Sequence, residues 1–351
     1  MFKPKFTITN KINNNMTIIE RARGFIEATE LKEEWLSEMQ KRALIYESHY
    51  STHIEGTKLT LKQSEKILTG KAVKDIYIDD MKELLNYKKA MDFVSKYIEV
   101  KEHVTEDIIK VIHRILVKGV RGDSADPGNY RKIQNYVVNG YGNILYTPPL
   151  HEEVPELMRE FVEWINKAIE NKEISPILIS GIAQYQFVDT HPFLDGNGRT
   201  ARLLCTLILY KTGYDFKKLF TISEYYDKNR KSYYDATQAV RENDMDMTQW
   251  LEYFTKALRS QMVDVRKRGE IAIKKDAIIE KTKNLNLKDR HIKMLEYLVE
   301  NDSISRSEYV KMFGVSTRTA TYDFLKLVEL KLIEKEGVGP ATRYVLKQIA
   351  R

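Results

Sequence analysis

The sequence predicts a mainly α protein with one small β-hairpin near its middle and a separate small unit at its C-terminal end. Three observations predict it. Eight prolines fall in 351 residues, so long helices can run unbroken. Alternating strand patterns are few, and apolar residues mostly recur at helical spacing. The strand-like exceptions are confined to residues 127–149 and 332–346. A chain of 351 residues is expected to form two or three domains.

An apolar share of 42% supports real cores and excludes a disordered chain. The 57 basic residues are mostly interspersed with 50 acidic ones, leaving a formal charge of +7. That balance suits phosphates or acidic proteins but does not require nucleic acid. Cys205 is the single cysteine, so no internal disulfide framework exists, which fits a reducing compartment. Met1-Phe2-Lys3-Pro4-Lys5-Phe6 lacks the apolar core of a signal peptide. No stretch approaches the roughly 18 uninterrupted apolar residues of a membrane span. The expectation is a cytoplasmic protein with no membrane partner.

Residues 1–95 read as a helical region. One long pattern, with Leu31, Trp35, Met39, Leu44 and Tyr46 among its apolar positions, closes at Ser51-Thr52-His53-Ile54-Glu55-Gly56. Ser51 and Glu55 are four apart and share a helix face, where the hydroxyl can orient the carboxylate. Gly56 suits a left-handed helix terminus, and His53 reads as a bystander on the helix end. Thr60-Leu61-Lys62-Gln63 then supplies a capping box for the next helix. Further on, Asn135–Val138 and Ile144–Thr147 read as two short strands around the Gly/Asn turn 139–143, ended by Pro148-Pro149.

The chemistry concentrates in His191-Pro192-Phe193-Leu194-Asp195-Gly196-Asn197-Gly198-Arg199-Thr200-Ala201-Arg202. The apolar run Leu203–Leu209 after it reads as a buried helix. Gly196, Asn197 and Gly198 therefore fall at a helix N-terminus, where free N–H groups and the dipole attract anions. Arg199 and Arg202 project from one face of the first turn, and guanidinium forks suit phosphate oxygens. Asp195 is placed for a divalent cation such as Mg²⁺ bridging those phosphates. His191 can take a proton near neutral pH. The package suits a polyphosphate and a proton transfer.

Arg266-Lys267-Arg268-Gly269 and the charged stretch around it make 261–285 a helical or loose connector. From residue 286 the pattern is compact again. Asp289–Val299 forms one amphipathic helix, and Ser305-Arg306-Ser307-Glu308 is a capping box opening a second. Ser316 caps a third helix through Ala320, Phe324, Leu327 and Val328. Leu332–Lys335 and Arg343–Leu346 read as a two-stranded wing.

The run 191–202 fits without mismatch the HxFx(D/E)GNGRxxR signature and so resembles the Fic family. The likeness extends over about residues 105–260: Pro127-Gly128-Asn129-Tyr130-Arg131 and Tyr146-Thr147-Pro148-Pro149 resemble the segments flanking the family's target-binding flap. Ala183-Gln184-Tyr185-Gln186-Phe187 resembles the helix entering the catalytic loop, and Ser223-Glu224-Tyr225-Tyr226 with Asn229-Arg230 the nucleoside-side helix. The resemblance implies a Fic-type helical core that transfers AMP from ATP to a Ser, Thr or Tyr hydroxyl of a target protein, the chain itself included. It implies His191 as base and Asp195 as holder of Mg²⁺. Gly196, Asn197, Gly198, Arg199, Thr200 and Arg202 would bind phosphate, Arg199 at the β-phosphate and Arg202 at the γ-phosphate. Tyr225, Tyr226 and Asn229 would line the nucleoside pocket. The flap, with Val137, Val138 and Asn139, would align the target by strand addition. Ser51, Glu55 and Gly56 resemble the family's inhibitory motif (S/T)xxxE(G/N), which implies a Glu55–Arg202 pair that displaces the γ-phosphate. The resemblance leaves open removal of AMP as a second activity, a donor other than ATP, and a homodimer.

Residues 286–351 resemble a winged helix-turn-helix domain, with Thr317, Arg318, Thr321 and Tyr322 early on the recognition helix, Lys326 further along it and Arg343 on the wing. That carries the alternative reading, a DNA-binding transcription regulator in which the Fic core senses nucleotide.

Overall fold

The computed structural model describes residues 2–97, 103–120, 126–138 and 142–347. Asn139 lies outside the described residues. The chain divides into two compact units, Met1–Val265 and Arg266–Arg351. Among the described residues, no helix is long and apolar enough to cross a membrane.

The first unit is helical, as expected. Its centre is the pair α7 (Pro176–Thr190) and α8 (Asn197–Lys211). Pro176 opens α7 where a missing N–H costs nothing, and nearly every α7 side chain is buried. A helix apolar on all sides belongs in a core, and α7 is sheathed by its neighbours. Around the pair stand α1 (Asn10–Ala28), α2 (Glu33–Ile54), α3 (Leu61–Leu68), α4 (Ile78–Tyr97), α5 (Glu106–Val117) and α6 (Val154–Asn171). After α8 come α9 (Ile222–Lys228), α10 (Arg230–Glu242) and α11 (Thr248–Thr282). Gly181 lets α11 come close: a Cβ there would sit 2.7 Å from the Phe254 ring. Beside it the Trp250 indole N–H donates to the Gly181 carbonyl at 2.7 Å.

Local signals act where expected. Thr60 and Gln63 close a full capping box on α3. Gly56 follows α2 with φ +107°. Leu31 lies ahead of α2 rather than in it. The hairpin forms from β1 (Val137–Val138) and β2 (Ile144–Tyr146), antiparallel, pairing Val137 with Tyr146 and Val138 with Ile144. Within 261–285, α11 continues to Thr282.

In the second unit follow α12 (Asp289–Glu300), α13 (Arg306–Phe313) and α14 (Thr317–Glu329). An antiparallel pair, β3 (Ile333–Glu336) and β4 (Arg343–Leu346), completes the expected order. Ser305 and Ser316 cap α13 and α14. Met294, Leu295, Ile304, Tyr309, Phe324 and Leu327 form its core, where the Phe324 and Tyr344 rings stack 3.8 Å apart. Asp323 ties the three helices together. It accepts both arms of Arg290 at 2.7 and 2.9 Å, His291 Nε2 at 2.8 Å and the Tyr309 hydroxyl at 3.0 Å.

Candidate active site

Helix α7 ends on His191, which takes φ +49°, a left-handed conformation disfavoured for a residue with a Cβ. The turn throws the imidazole off the helix axis. Its Nδ1 lies 3.1 Å from the Val188 carbonyl, which fixes the proton there and leaves the Nε2 lone pair free to act as a base. The backbone of the turn is clamped by Arg131, whose Nε donates to the His191 carbonyl at 3.0 Å and whose N–H donates to the Pro192 carbonyl at 2.9 Å. Burial lowers the His191 pKa, and the Arg131 and Arg241 cations act in the same direction against the Val188 hydrogen bond and Glu55. The ring is therefore a neutral base near pH 7.

The loop after His191 is stiffened from below. Phe193 is fully buried and stacks face to face on His113, centroids 3.7 Å apart. His113 accepts the Gly128 N–H at Nδ1 and donates from Nε2 to the Asp195 carbonyl at 2.9 Å. Burial pushes its pKa down to about 4, so it serves as a neutral spacer. Gly196 takes φ +76°, where a Cβ would press to 2.9 Å from Val117, so glycine is required on two counts.

The Asn197 amide is spent within the loop rather than free for a phosphate. Its Oδ1 accepts the Phe193 N–H at 3.0 Å and its Nδ2 donates to the Phe193 carbonyl at 2.8 Å, closing the loop on itself. Thr200 is likewise spent on structure, its buried hydroxyl donating to the Gly196 carbonyl at 2.9 Å. Asp195 keeps half its carboxylate in solvent: Oδ1 accepts the Gly196 N–H at 2.6 Å, and Oδ2 lies 3.5 Å from Arg199. No cluster of three or more His, Cys, Asp or Glu side chains suited to a metal occurs among the described residues. Asp195 could thus contribute one hard oxygen ligand, with phosphate oxygens and water supplying the rest.

The two arginines have different environments. Arg199 is buried against Glu83 of α4 at 2.8 Å, and its Nε has no hydrogen-bond partner among the described residues. Arg202, also buried, donates from Nε to the Ser51 hydroxyl at 2.8 Å. Its Nη2 donates to the Ser51 carbonyl at 2.9 Å and to Glu55 Oε1 at 2.8 Å. Burial opposes the Arg202 charge, yet Glu55 and the nearby Tyr233 and Tyr87 raise its pKa overall. Ser51 thus orients the arginine, where the sequence suggested it would orient the glutamate. The Glu55 carboxylate lies across the α8 N-terminus so closely that a Cβ on Gly198 would be 2.3 Å from its Oε1.

The nucleoside-side residues divide. Tyr226 is fully buried, stacked 4.7 Å from Tyr233 and packed near Trp250, so it is core rather than pocket lining. Tyr225 packs on Tyr253, and Asn229 caps α9 by donating to the Tyr225 carbonyl at 2.9 Å. On the hairpin, Val138 is exposed while Val137 is half-buried. His53 is no bystander. It meets Asp227 at 2.9 Å, while Arg230 donates to the His53 carbonyl at 2.6 Å, fastening the end of α2 to α9 and α10. The sequence also gave no sign of Glu47, buried in α2, which accepts from Tyr87 at 3.0 Å and from the Ser223 N–H at 3.1 Å. A buried acid on a helix has no local signature; only its distant donors reveal it.

Residues 103–209 match the Fic/DOC family. Two proteins named protein adenylyltransferase Fic are similar to the chain. That of Drosophila grimshawi is 33% identical over 180 residues, 51% of this chain and 35% of that protein. That of Culex quinquefasciatus is 30% identical over 229 residues, 65% and 43% respectively. The chain thus spans well under half the length of these relatives. Among solved structures, a Fic family protein from Desulfovibrio desulfuricans G20 aligns over 100% of both chains with a TM-score of 0.65 at 23% identity. Fic-1 (residues 134–508) from C. elegans aligns with a TM-score of 0.58 at 24% identity, covering 72% of this chain and 71% of that one. The chain therefore has the fold of the solved Fic proteins and carries, in residues 103–209, a segment matching the Fic/DOC family.

Proposed function

We propose that the protein is an adenylyltransferase that moves AMP from ATP to a Ser, Thr or Tyr hydroxyl of a target protein, and that Glu55 restrains it. One observation carries this reading: a neutral imidazole with a free Nε2, held just ahead of a helix N-terminus whose arginine is occupied by a carboxylate. The names of the similar proteins agree with it.

The target hydroxyl oxygen attacks the ATP α-phosphorus as His191 Nε2 takes its proton; the bond from that phosphorus to the bridging oxygen breaks, and pyrophosphate leaves with the electron pair. The α8 N-terminus and Arg202 stabilise the leaving phosphates. Arg199, paired with Glu83 at 2.8 Å, would grip the β-phosphate. Asp195 would hold Mg²⁺, which neutralises phosphate charge when bound. Glu55 competes directly for the guanidinium that the γ-phosphate needs. The exposed hairpin edge would receive the target backbone.

Labelled ATP and Mg²⁺ added to wild type, Glu55→Gly and Glu55→Gly/His191→Ala in lysate test the reading. Incorporation should rise in the single variant and vanish in the double. Equal or lower incorporation in Glu55→Gly would sink the brake, and full activity without His191 would sink the base.

The element order of residues 286–347 supports a winged helix. Net charge also collects in the second unit, which has 19 basic against 12 acidic residues, while residues 1–265 have 38 of each. Even so, the exposed face of α14 presents Tyr322 and Leu325, each 60% exposed, with a single cation, Arg318. Lys326 is committed to the Asn286 carbonyl and Arg343 to Ser303 and Glu308. That face is too apolar to favour DNA binding as the main activity.

A further inference from the structure

Three side chains from three elements meet beside the end of α7. Asp189 precedes His191 by two residues, Arg241 lies in the last turn of α10, and Tyr146 ends β2. Arg241 Nε donates to Asp189 Oδ1 at 2.9 Å, and its guanidinium carbon lies 3.5 Å from the centroid of the Tyr146 ring. The Tyr146 hydroxyl donates to the Asp189 carbonyl at 3.0 Å, and Tyr185 donates to Asp189 Oδ1 at 3.3 Å. The acid is nearly buried and the arginine largely so, with side chains 9% and 16% exposed. A desolvated pair of this kind is retained only where its geometry is good and its remaining lone pairs are satisfied.

The hairpin needs such an anchor. Strands of two and three residues are not stable alone. Its base is held by Arg131 to the Pro149 carbonyl, by Gln134 to the Pro148 carbonyl at 2.9 Å and by Asn135 to the Phe193 carbonyl at 3.0 Å. Within the strands, Val138, Ile144 and Leu145 are exposed, while the paired Val137 and Tyr146 are half-buried, and the Tyr146 hydroxyl reaches the Asp189 carbonyl.

We propose that Arg241 is a positioning residue which, through Asp189 and Tyr146, locks the hairpin to the end of the catalytic helix and keeps an incoming target hydroxyl in register with His191. Its catalytic meaning rests on the adenylyl-transfer reading; the lock itself does not. Arg241 also has an electrostatic role. The charged groups acting on His191 are Arg131 before the hairpin, Arg241 from α10 and Glu55 just after α2; burial is the main cause that lowers its pKa, and the two cations add to it.

The test uses the full chain carrying Glu55→Gly, with Arg241→Gln, Arg241→Lys or Tyr146→Phe added. Amide exchange is read at residues 137–138 and 144–146, His191 is titrated by NMR of labelled histidine, and auto-modification is followed with labelled ATP and Mg²⁺. Losing a charge-assisted bond should make hairpin exchange about tenfold faster in Arg241→Gln. In that variant the His191 pKa rises, and transfer slows by about the same factor while KM for ATP stays within about twofold. Arg241→Lys restores the His191 titration but not the hairpin protection. Tyr146→Phe deletes one hydroxyl, so it folds, and its exchange rises less than in Arg241→Gln. Unchanged hairpin exchange in both Arg241→Gln and Tyr146→Phe would overturn the lock. A Glu55→Gly parent that transfers no AMP would instead refute the adenylyl-transfer reading, with exchange and titration still deciding the lock.

Discussion

Replacing Glu55 by glycine should weaken the resting protein and strengthen its hold on ATP by the same amount. In the resting state Arg202 is buried and its charge is balanced by Glu55 at 2.8 Å. Without the carboxylate, the guanidinium keeps the Ser51 hydroxyl and carbonyl at 2.8 and 2.9 Å, and neither carries a charge. Removing one partner of a buried charged hydrogen bond costs roughly 3–5 kcal/mol when water is excluded. Glu55 is 30% exposed, so water enters and about 1.5–2 kcal/mol is the better figure. For a unit of this size that lowers Tm by about 3–6 °C. The γ-phosphate then replaces the lost anion without having to displace it, so the ATP Kd falls by about tenfold to thirtyfold. Thermal melts with and without ATP and Mg²⁺, with calorimetric titration of ATP, measure both halves. A variant as stable as wild type that binds ATP no more tightly would refute the competition.

Other consequences follow from the same geometry. Because burial lowers the His191 pKa, the acidic limb of the pH–rate profile in Glu55→Gly should lie below about 6.5, the ordinary imidazole value, since the base works only when neutral. A limb at or above pH 7 contradicts the assignment. Asn197→Ala removes two hydrogen bonds to Phe193, worth about 2 kcal/mol together, and should slow transfer by up to about a hundredfold through loop displacement. ATP affinity should hardly change; a large loss there would mean that the side chain binds phosphate after all. In the second unit, burial alone would raise the Asp323 pKa, but donors from Arg290, His291 and Tyr309 hold it at about 2. Its stabilisation is therefore complete above the unfolded value of about 3.9 and fades as pH falls through about 2. Asp323→Asn should accelerate amide exchange throughout α12, α13 and α14 at pH 7; unchanged protection would remove Asp323 as the hub.

Features encoded by neighbours in the chain were legible in the sequence. The capping boxes at Thr60–Gln63 and Ser305–Glu308 need only residues three apart, and both form. The stretch 191–202 lies at a helix start because an apolar run follows it. Glu55 was legible for a different reason, through the resemblance of its short motif. Features that depend on residues meeting across the fold were not legible. Glu83 is 116 residues from Arg199, and Glu47 is 176 from Ser223. Asn197, Thr200 and Tyr226 carry the right chemistry for a ligand, but packing gives their polar groups internal partners. A sequence lists a side chain's capacity to bond and leaves its partner to the fold.

The most direct measurement is a crystal structure of Glu55→Gly soaked with Mg²⁺ and a non-hydrolysable ATP analogue. The account predicts the triphosphate on the α8 N-terminus, the γ-phosphate on Arg202, and a clear line of approach to the α-phosphorus from His191 Nε2. A triphosphate bound elsewhere, or turned so that His191 faces the γ-phosphate, would contradict it.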